Sequence, residues 1–301
     1  DKMSYMKRFA GLVCAVAAIV FFASCSKDKE SGSLSFNSPA VFLSAGQTVT
    51  VGFKSVNLQN LSVTNKPTGW AEPTIDVAAQ TLTITAPATF DDDEVKTGSL
   101  VLAGTPKGGS SVSATLFVGV VESEDLSGKP ANSYIVSKPD YNYLISAMHR
   151  GDIMAVLPAW VDVVWQSKSG LIQYTELRED GKVSFYVGAD SDDEKKIKEG
   201  NAVIGAYDAG GTLIWCWDIW VVNYDPEKTE NQVVFNGYAM MDRNLGALAN
   251  DNSTAEKILA SYGLYYQWGR KDPFIGPSSY NAANGASASM YNGGGSRGYM
   301  K

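Results

Sequence analysis

Residues 202–222 read Ala202-Val203-Ile204-Gly205-Ala206-Tyr207, then Asp208-Ala209-Gly210-Gly211, then Thr212-Leu213-Ile214-Trp215-Cys216-Trp217-Asp218-Ile219-Trp220-Val221-Val222. Two runs rich in β-branched and aromatic residues flank a short Asp/Gly turn, which predicts an antiparallel hairpin. At period two, Trp215, Trp217 and Ile219 face one side of the second strand, and Ile214, Cys216, Asp218 and Trp220 the other. So continuous an apolar strand predicts burial on both faces.

The same texture extends towards the N-terminus. Tyr141–Ala147, Trp160–Gln166, Leu171–Leu177 and Val183–Val187 are strand candidates, with Asp180-Gly181 a second hairpin signal, and Ala131–Val136 opens the unit. Residues 131–225 are therefore expected to form an antiparallel β-sandwich. Further upstream, Leu34–Phe36, Val41–Leu43, Thr48–Phe53, Leu61–Thr64, Thr81–Thr85, Ser99–Leu102 and Val112–Val120 repeat the pattern. Val49, Val51 and Phe53 alternate with Thr48, Thr50 and Gly52, and Leu82 and Ile84 alternate with Thr81, Thr83 and Thr85, as half-buried strands require. Trp70, after Pro67-Thr68-Gly69, is the expected core plug. Residues 34–121 thus read as an immunoglobulin-like sandwich, and Glu122–Pro130 as a linker. The fold class is mainly β, with two tandem sandwiches.

Composition narrows the function. The chain has 301 residues, is 45% hydrophobic and 19% charged, and carries net charge −7. The acidic balance argues against nucleic-acid partners, which call for a basic face. One His and three Cys leave little for zinc clusters, haem or a disulfide framework. No metal ion, cofactor or catalytic residue is expected. His149 and Cys216 are the sole imidazole and the sole thiol left in the mature chain, and a thiol in an apolar strand is inert. Of the acidic runs Asp91–Glu94 and Asp190–Glu194, the second has Lys195 and Asn201 where a calcium loop needs glycine and glutamate, and solvated loops describe both runs better.

The N-terminus reads as an address. Lys7 and Arg8 precede an apolar run, Phe9–Phe22, that spans only about 21 Å as a helix, too short to cross a bilayer. Translation is expected to start at Met3 or Met6, with Asp1 and Lys2 upstream. The run ends Phe22-Ala23-Ser24-Cys25, which resembles a bacterial lipobox, and Ser26-Lys27-Asp28-Lys29-Glu30 resembles the charged tether of Bacteroidetes outer-membrane lipoproteins. The resemblance implies a signal peptide over 1–24, lipidation at Cys25, a tether over 25–33 and exposure at the cell surface. Cleavage there moves the net charge from −7 to −9, since three basic residues and one acidic residue leave.

The first sandwich, with its Trp70 plug, Leu-Thr-Ile-Thr strand and Gly-Ser-Leu-Val-Leu strand, resembles the BACON-like Ig-like modules of Bacteroidetes surface proteins, which are usually spacers. After Asp225-Pro226 the texture changes. Tyr238–Asn244 reads as a strand entering a turn, and Ser253–Tyr262 as a helix with Ser253 as N-cap and Glu256 completing a capping box. The order Met241-Asp242-Arg243-Asn244-Leu245-Gly246, then Tyr262-Gly263-Leu264-Tyr265-Tyr266-Gln267-Trp268-Gly269, resembles fimbrillin-like surface lipoproteins and the opening of the Fibrobacter succinogenes major paralogous domain. That resemblance implies a C-type-lectin-like α+β module with a helix through the Tyr-Tyr-x-Trp block. The family's later Trp-Arg-Leu-Pro-Thr block does not occur before Lys301, so residues 233–301 are expected to be a partial module with a loop-like or disordered tail from Gly276.

Candidate binding residues follow. Trp215, Trp217 and Trp220 are either core or a platform on which sugar rings stack, and core is the plainer reading. Asp218 is a candidate perturbed carboxylate. Asp242 and Arg243 read as a charge-assisted brace for the Leu245-Gly246 turn, with ligand binding as the second option. Tyr265, Tyr266 and Trp268 complete the set. The expected function is non-enzymatic binding or adhesion, as an accessory or tip component of a fimbria-like assembly. The alternative is glycan capture in a polysaccharide-utilisation system. Expected partners are the outer membrane through the lipid, and pilus subunits or host and dietary glycans.

Overall fold

The computed structural model describes residues 31–91, 95–150, 154–266 and 273–274, with the side chains of His149, Arg150, Met154 and Phe274 left aside. The signal segment, Cys25 and Trp268 lie outside the described residues.

Threonine–aliphatic alternation builds the first sandwich. Its strands are β1 (Ser33–Phe36), β2 (Ala40–Leu43), β3 (Thr48–Val56), β4 (Gln59–Asn65), β5 (Thr74–Asp76), β6 (Thr81–Thr85), β7 (Thr97–Thr105) and β8 (Val112–Val120). They form two four-stranded sheets, β1-β3-β6-β5 and β2-β8-β7-β4. Leu82 and Ile84 point inward with Phe53, Leu100, Leu102, Leu116 and Val118. On the opposite face of the β3–β6 pair, threonine hydroxyls meet as Thr48–Thr85 at 2.9 Å and Thr50–Thr83 at 3.1 Å. Trp70 fills the same core and its indole Nε1 donates to the Val95 carbonyl at 3.0 Å. That bond satisfies a polar group whose unpaired burial would be costly. Strand β5 escaped the sequence reading because three residues, Thr-Ile-Asp, show too little alternation to register.

The second sandwich contains β9 (Glu122–Asp125), β10 (Ser133–Val136), β11 (Tyr141–Ser146), β12 (His149–Arg150), β13 (Met154–Ala155), β14 (Trp160–Gln166), β15 (Gln173–Leu177), β16 (Lys182–Val187), β17 (Gly200–Tyr207) and β18 (Leu213–Val221). Its facing sheets are β10-β18-β17-β14 and β15-β16-β11-β9, while β12 and β13 pair with each other. The core between them holds Tyr143, Ile145, Phe185, Ile204, Trp217 and Ile219. Both predicted hairpins form. Asp208 accepts at its carbonyl from Gly211 N and at its carboxylate from Thr212 N, closing the β17–β18 turn. Gly181, at φ +75°, closes the β15–β16 turn.

Two expectations need correction. Glu122–Asp125 is not a linker but a strand, paired with β11 at the sheet edge. It has no apolar face, but an edge strand needs mainly backbone partners, and charge suits an edge. Lys182 and Lys138 neutralise Asp125 and Glu124 at 2.6 and 3.0 Å. Nor are the sheets wholly antiparallel. β2 pairs with β8, β9 with β11, and β10 with β18 in parallel. Each of these additions is a four-residue strand seated at a sheet edge.

The sandwiches meet through rings carried on their outer faces. Phe42 stacks on Tyr186 at 5.6 Å, and Phe117 stacks on Tyr174 at 4.3 Å with the planes 12° apart. Ser38 Oγ donates to Glu176 Oε1 beside them, and burial raises the pKa of that carboxyl. Tyr174 sits at φ +53° within the irregular stretch of β15 between Gln173 and Glu176. A side chain in the left-handed region costs about 1–3 kcal/mol, so the ring contact must outweigh local strain.

The C-terminal segment adds β19 (Gln232–Phe235), β20 (Tyr238–Met241), α1 (Ala255–Ser261), β21 (Tyr265–Tyr266) and β22 (Pro273–Phe274). β19 and β20 form a hairpin on Asn236-Gly237, with φ of +50° and +81° as a type I′ turn requires. The Asn-Gly signal was there to be read. The helix N-cap is Thr254, not Ser253: Thr254 accepts from Lys257 N, while the Ser253 hydroxyl donates to Asp251. The helix also stops before the Tyr-Tyr pair, because Gly263 at φ +68° ends it, and Tyr265–Tyr266 pairs as a strand. Among the described residues no helix is long and apolar enough to cross a membrane.

The junction yields a prediction. Tyr174→Gly removes the strain and the ring together, whereas Tyr174→Ala removes only the ring. Both variants should broaden the distribution of angles between the sandwiches in small-angle X-ray scattering. The Ala variant should be the less stable of the two in urea unfolding, by about 1 kcal/mol. An unchanged scattering profile for both would show that the rings do not set the angle.

Candidate binding surfaces

Strand β18 is buried on both faces, so its aromatic residues are structural. Trp215 and Trp217 lie in the main core with Ile219 and Val221. Trp220 faces the other way and packs with Val222, Tyr224, Ile135, Leu245 and Leu248. Trp217 and Trp220 are fully buried and Trp215 nearly so, so none of the three offers a ring face to solvent. Asn201 reinforces the outer cover by donating from Nδ2 to the Gly246 carbonyl at 2.8 Å.

Asp218 lies on that outer face at 1% exposure. Ser133 Oγ donates to Oδ2 at 2.7 Å, but Oδ1 has no hydrogen-bond partner, and neither does the nearby Asn132 Oδ1. Burial raises its pKa to about 7, against the opposing pull of the serine bond. A protonated carboxylic acid adds a donor beside the Ser133 hydroxyl, in a pocket that holds two unpaired acceptor oxygens. Asp218 is thus enclosed, not presented to a ligand.

Asp242 and Arg243 pair with each other. Arg243 Nε and Nη2 donate to the two Asp242 oxygens at 2.8 and 3.3 Å, and the guanidinium lies 4.0 Å above the Tyr224 ring. The Arg243 hydrogen bond is the main reason that the Asp242 pKa is lowered. The pair sits where β20 enters the Leu245-Gly246 turn, whose Leu245 packs beside Tyr224. Tyr265 and Tyr266 are exposed. Among the described residues no group of His, Cys, Asp and Glu is arranged to hold a metal ion. Asp190, Asp192 and Asp193 lie with Lys196 and Glu199 around an open surface cavity of about 490 Å³. Asp193 there pairs with Lys196 at 2.9 Å.

Two surfaces went unread in the sequence. The first is the β19–β20 hairpin, where Val233, Val234, Phe235, Tyr238, Met240 and Met241 are all exposed. Its ten residues Gln232–Met241 carry no charge, and it pairs with no other strand among the described residues. The second is at edge strand β14. Trp160 is 40% exposed and stacks on Tyr207 at 3.9 Å with the planes 5° apart.

No protein-family model matches the chain, and no curated protein matches it. Solved structures that resemble it do so distantly. A protocadherin gamma B7 fragment of four extracellular cadherin domains is 10% identical, with 65% of this chain aligned to 52% of that one and a TM-score of 0.21. The human desmocollin-1 ectodomain is 14% identical over 67% of this chain and 39% of its own, with a TM-score of 0.21. The D00-D0 domain of intimin is 13% identical over 62% of this chain and 96% of its own, with a TM-score of 0.22. The chain thus spans about half or less of the first two of these structures.

The Asp218 environment predicts a pH effect. Because the folded pKa lies above the unfolded value of 3.8, the native state holds the proton more tightly. This group's contribution is therefore most favourable below about pH 4 and declines as pH rises towards 7. Asp218→Asn keeps the shape and removes the titration. Relative to wild type, the variant should gain stability between pH 4 and pH 8, by about 1–3 kcal/mol in urea unfolding. A pH-independent difference between the two proteins would contradict this assignment.

Proposed function

We propose that this chain is a lipid-anchored protein of the bacterial outer membrane that works at the cell surface by binding, in adhesion or in the assembly of a fimbria-like appendage, and not by catalysis. The lipobox-like Phe22-Ala23-Ser24-Cys25 supports the anchor, and the charged residues after Cys25 support surface exposure. The first sandwich then serves as a spacer, with the aromatic junction limiting its swing against the second.

The observation that carries the binding role is the β19–β20 hairpin. Four large apolar side chains, Val233, Phe235, Tyr238 and Met240, share one exposed face of this uncharged hairpin, the kind of patch that marks a protein contact. A neighbouring subunit of a surface assembly is the partner this reading assigns. Glycan capture is a second reading, favoured by the exposed Trp160–Tyr207 stack.

Two experiments test the proposal. Radiolabelled palmitate should enter the wild-type protein in cells and not Cys25→Ala; equal incorporation would refute the lipid anchor. For the surface role, Phe235→Asp and Tyr238→Asp place charge on exposed positions without touching a core. Each should reduce co-purification of appendage subunits by roughly tenfold, as expected when a hot-spot side chain is lost. Undiminished co-purification would remove the hairpin from the contact.

A further inference from the structure

Among the described tryptophans, Trp160 is the one that is exposed: Trp70, Trp215, Trp217 and Trp220 are buried, and Trp165 is half-buried. A large apolar ring in water is informative when it is held rigidly. Trp160 is so held. It lies directly opposite Tyr207 in the β14–β17 register, and the two rings stack almost in parallel. Val161 and Ala206, the next pair along, turn into the core and fix both strands. Tyr207 can lie flat because it leans over Gly205, where a Cβ would stand 3.1 Å from its Cε2. The Ala159 N–H, which donates to the Tyr207 carbonyl at 2.8 Å, secures the start of the strand.

Polar groups stand beside the rings. Asp162, two residues along β14 and so on the same face as Trp160, is exposed. Its Oδ1 accepts from the Val163 N–H at 2.7 Å, leaving Oδ2 to accept from a ligand. Burial first and the Asp162 charge second raise the pKa of Tyr207, so its hydroxyl is a protonated donor at neutral pH. β14 is the outer strand of its sheet, so nothing in the sheet order blocks approach.

We infer that Trp160, Tyr207 and Asp162 form a saccharide-binding platform, on which the C–H face of a neutral pyranose ring stacks on the open side of Trp160 while its hydroxyls bond Asp162 and Tyr207. The chemistry separates this from other ligands. Anionic ligands are disfavoured by Asp162 and by the net charge of −7. An ammonium or guanidinium group would suit the indole and the carboxylate but carries only donors, so it cannot accept a hydrogen bond from the Tyr207 O–H. Sugar hydroxyls donate and accept. The pre-stacked indole also needs little ordering when a ligand arrives, which lowers the entropic cost of binding.

The inference rests on the glycan reading above, and its test separates the two. The full chain, solubilised in a detergent without a sugar headgroup, would be applied to an array of neutral oligosaccharides that includes cello-, xylo-, manno- and laminari-hexaose. The best ligand would then be titrated by calorimetry. Wild type should bind at least one of them. Trp160→Ala should weaken that binding about tenfold or more, and Asp162→Asn by several fold, while Trp160→Phe, which keeps a ring on Tyr207, should lose far less. Comparable binding by Trp160→Ala would overturn the site and leave glycan capture to another surface. Binding to none of the array by wild type would overturn the glycan reading and the site together. Capture of a lysine-rich peptide by Trp160 in place of any sugar would overturn the assigned ligand class. The Phe variant guards against misfolding, since it preserves the stacked pair.

Discussion

The structure depends on burying both faces of strand β18. On the inner face, Trp215, Trp217, Ile219 and Val221 close the second sandwich. On the outer face, Trp220 leads into Val222 and Tyr224 and gathers Leu245 and Leu248. A one-residue slip in register would exchange these faces and strand every aromatic residue on the wrong side. The long β17–β18 pairing, running from Gly200↔Val221 to Tyr207↔Leu213, holds the register. The Asn201–Gly246 bond then ties the C-terminal segment to the same sheet. Asp218 is the exception on this strand, a buried carboxyl group whose pKa burial raises to about 7.

Much of this was legible because alternation is a local property. Leu82 and Ile84 announce a strand whatever surrounds them, and so does the run through Trp220. The expectation of two-faced burial came from the same run, since no side of it is polar. Elements without such a pattern stayed hidden. Glu122–Asp125 is a strand only because β11 offers it an edge, and nothing in Glu-Ser-Glu-Asp encodes that offer. The parallel pairings depend on where the chain returns, which a single sequence does not record. At the helix, Ser253 and Thr254 are both good N-caps, and tertiary context placed the boundary one residue later.

Candidate sites were harder to read for a related reason. Tryptophan in a sequence signals either a core or a platform, and only burial separates the two. The three in β18 are core. Trp160 drew no notice because it opens a strand like any other, and its partner Tyr207 is 47 positions away in sequence and adjacent only through pairing. The hairpin at Asn236-Gly237 carried a clear turn signal, but its lack of cover is a property of the folded chain. Asp242 and Arg243, adjacent in sequence, were read as a brace without the Tyr224 ring beneath them.

Native-state hydrogen exchange tests the central role of β18 most directly. The amides of β18 and those of Leu245–Ala247 should exchange slowly and through the same opening, with matching denaturant dependence, while the β19–β20 hairpin exchanges much faster. If Leu245–Ala247 exchanged at the rate of the hairpin, independently of β18, the outer-face packing on Trp220 would not be what joins the C-terminal segment to the sandwich.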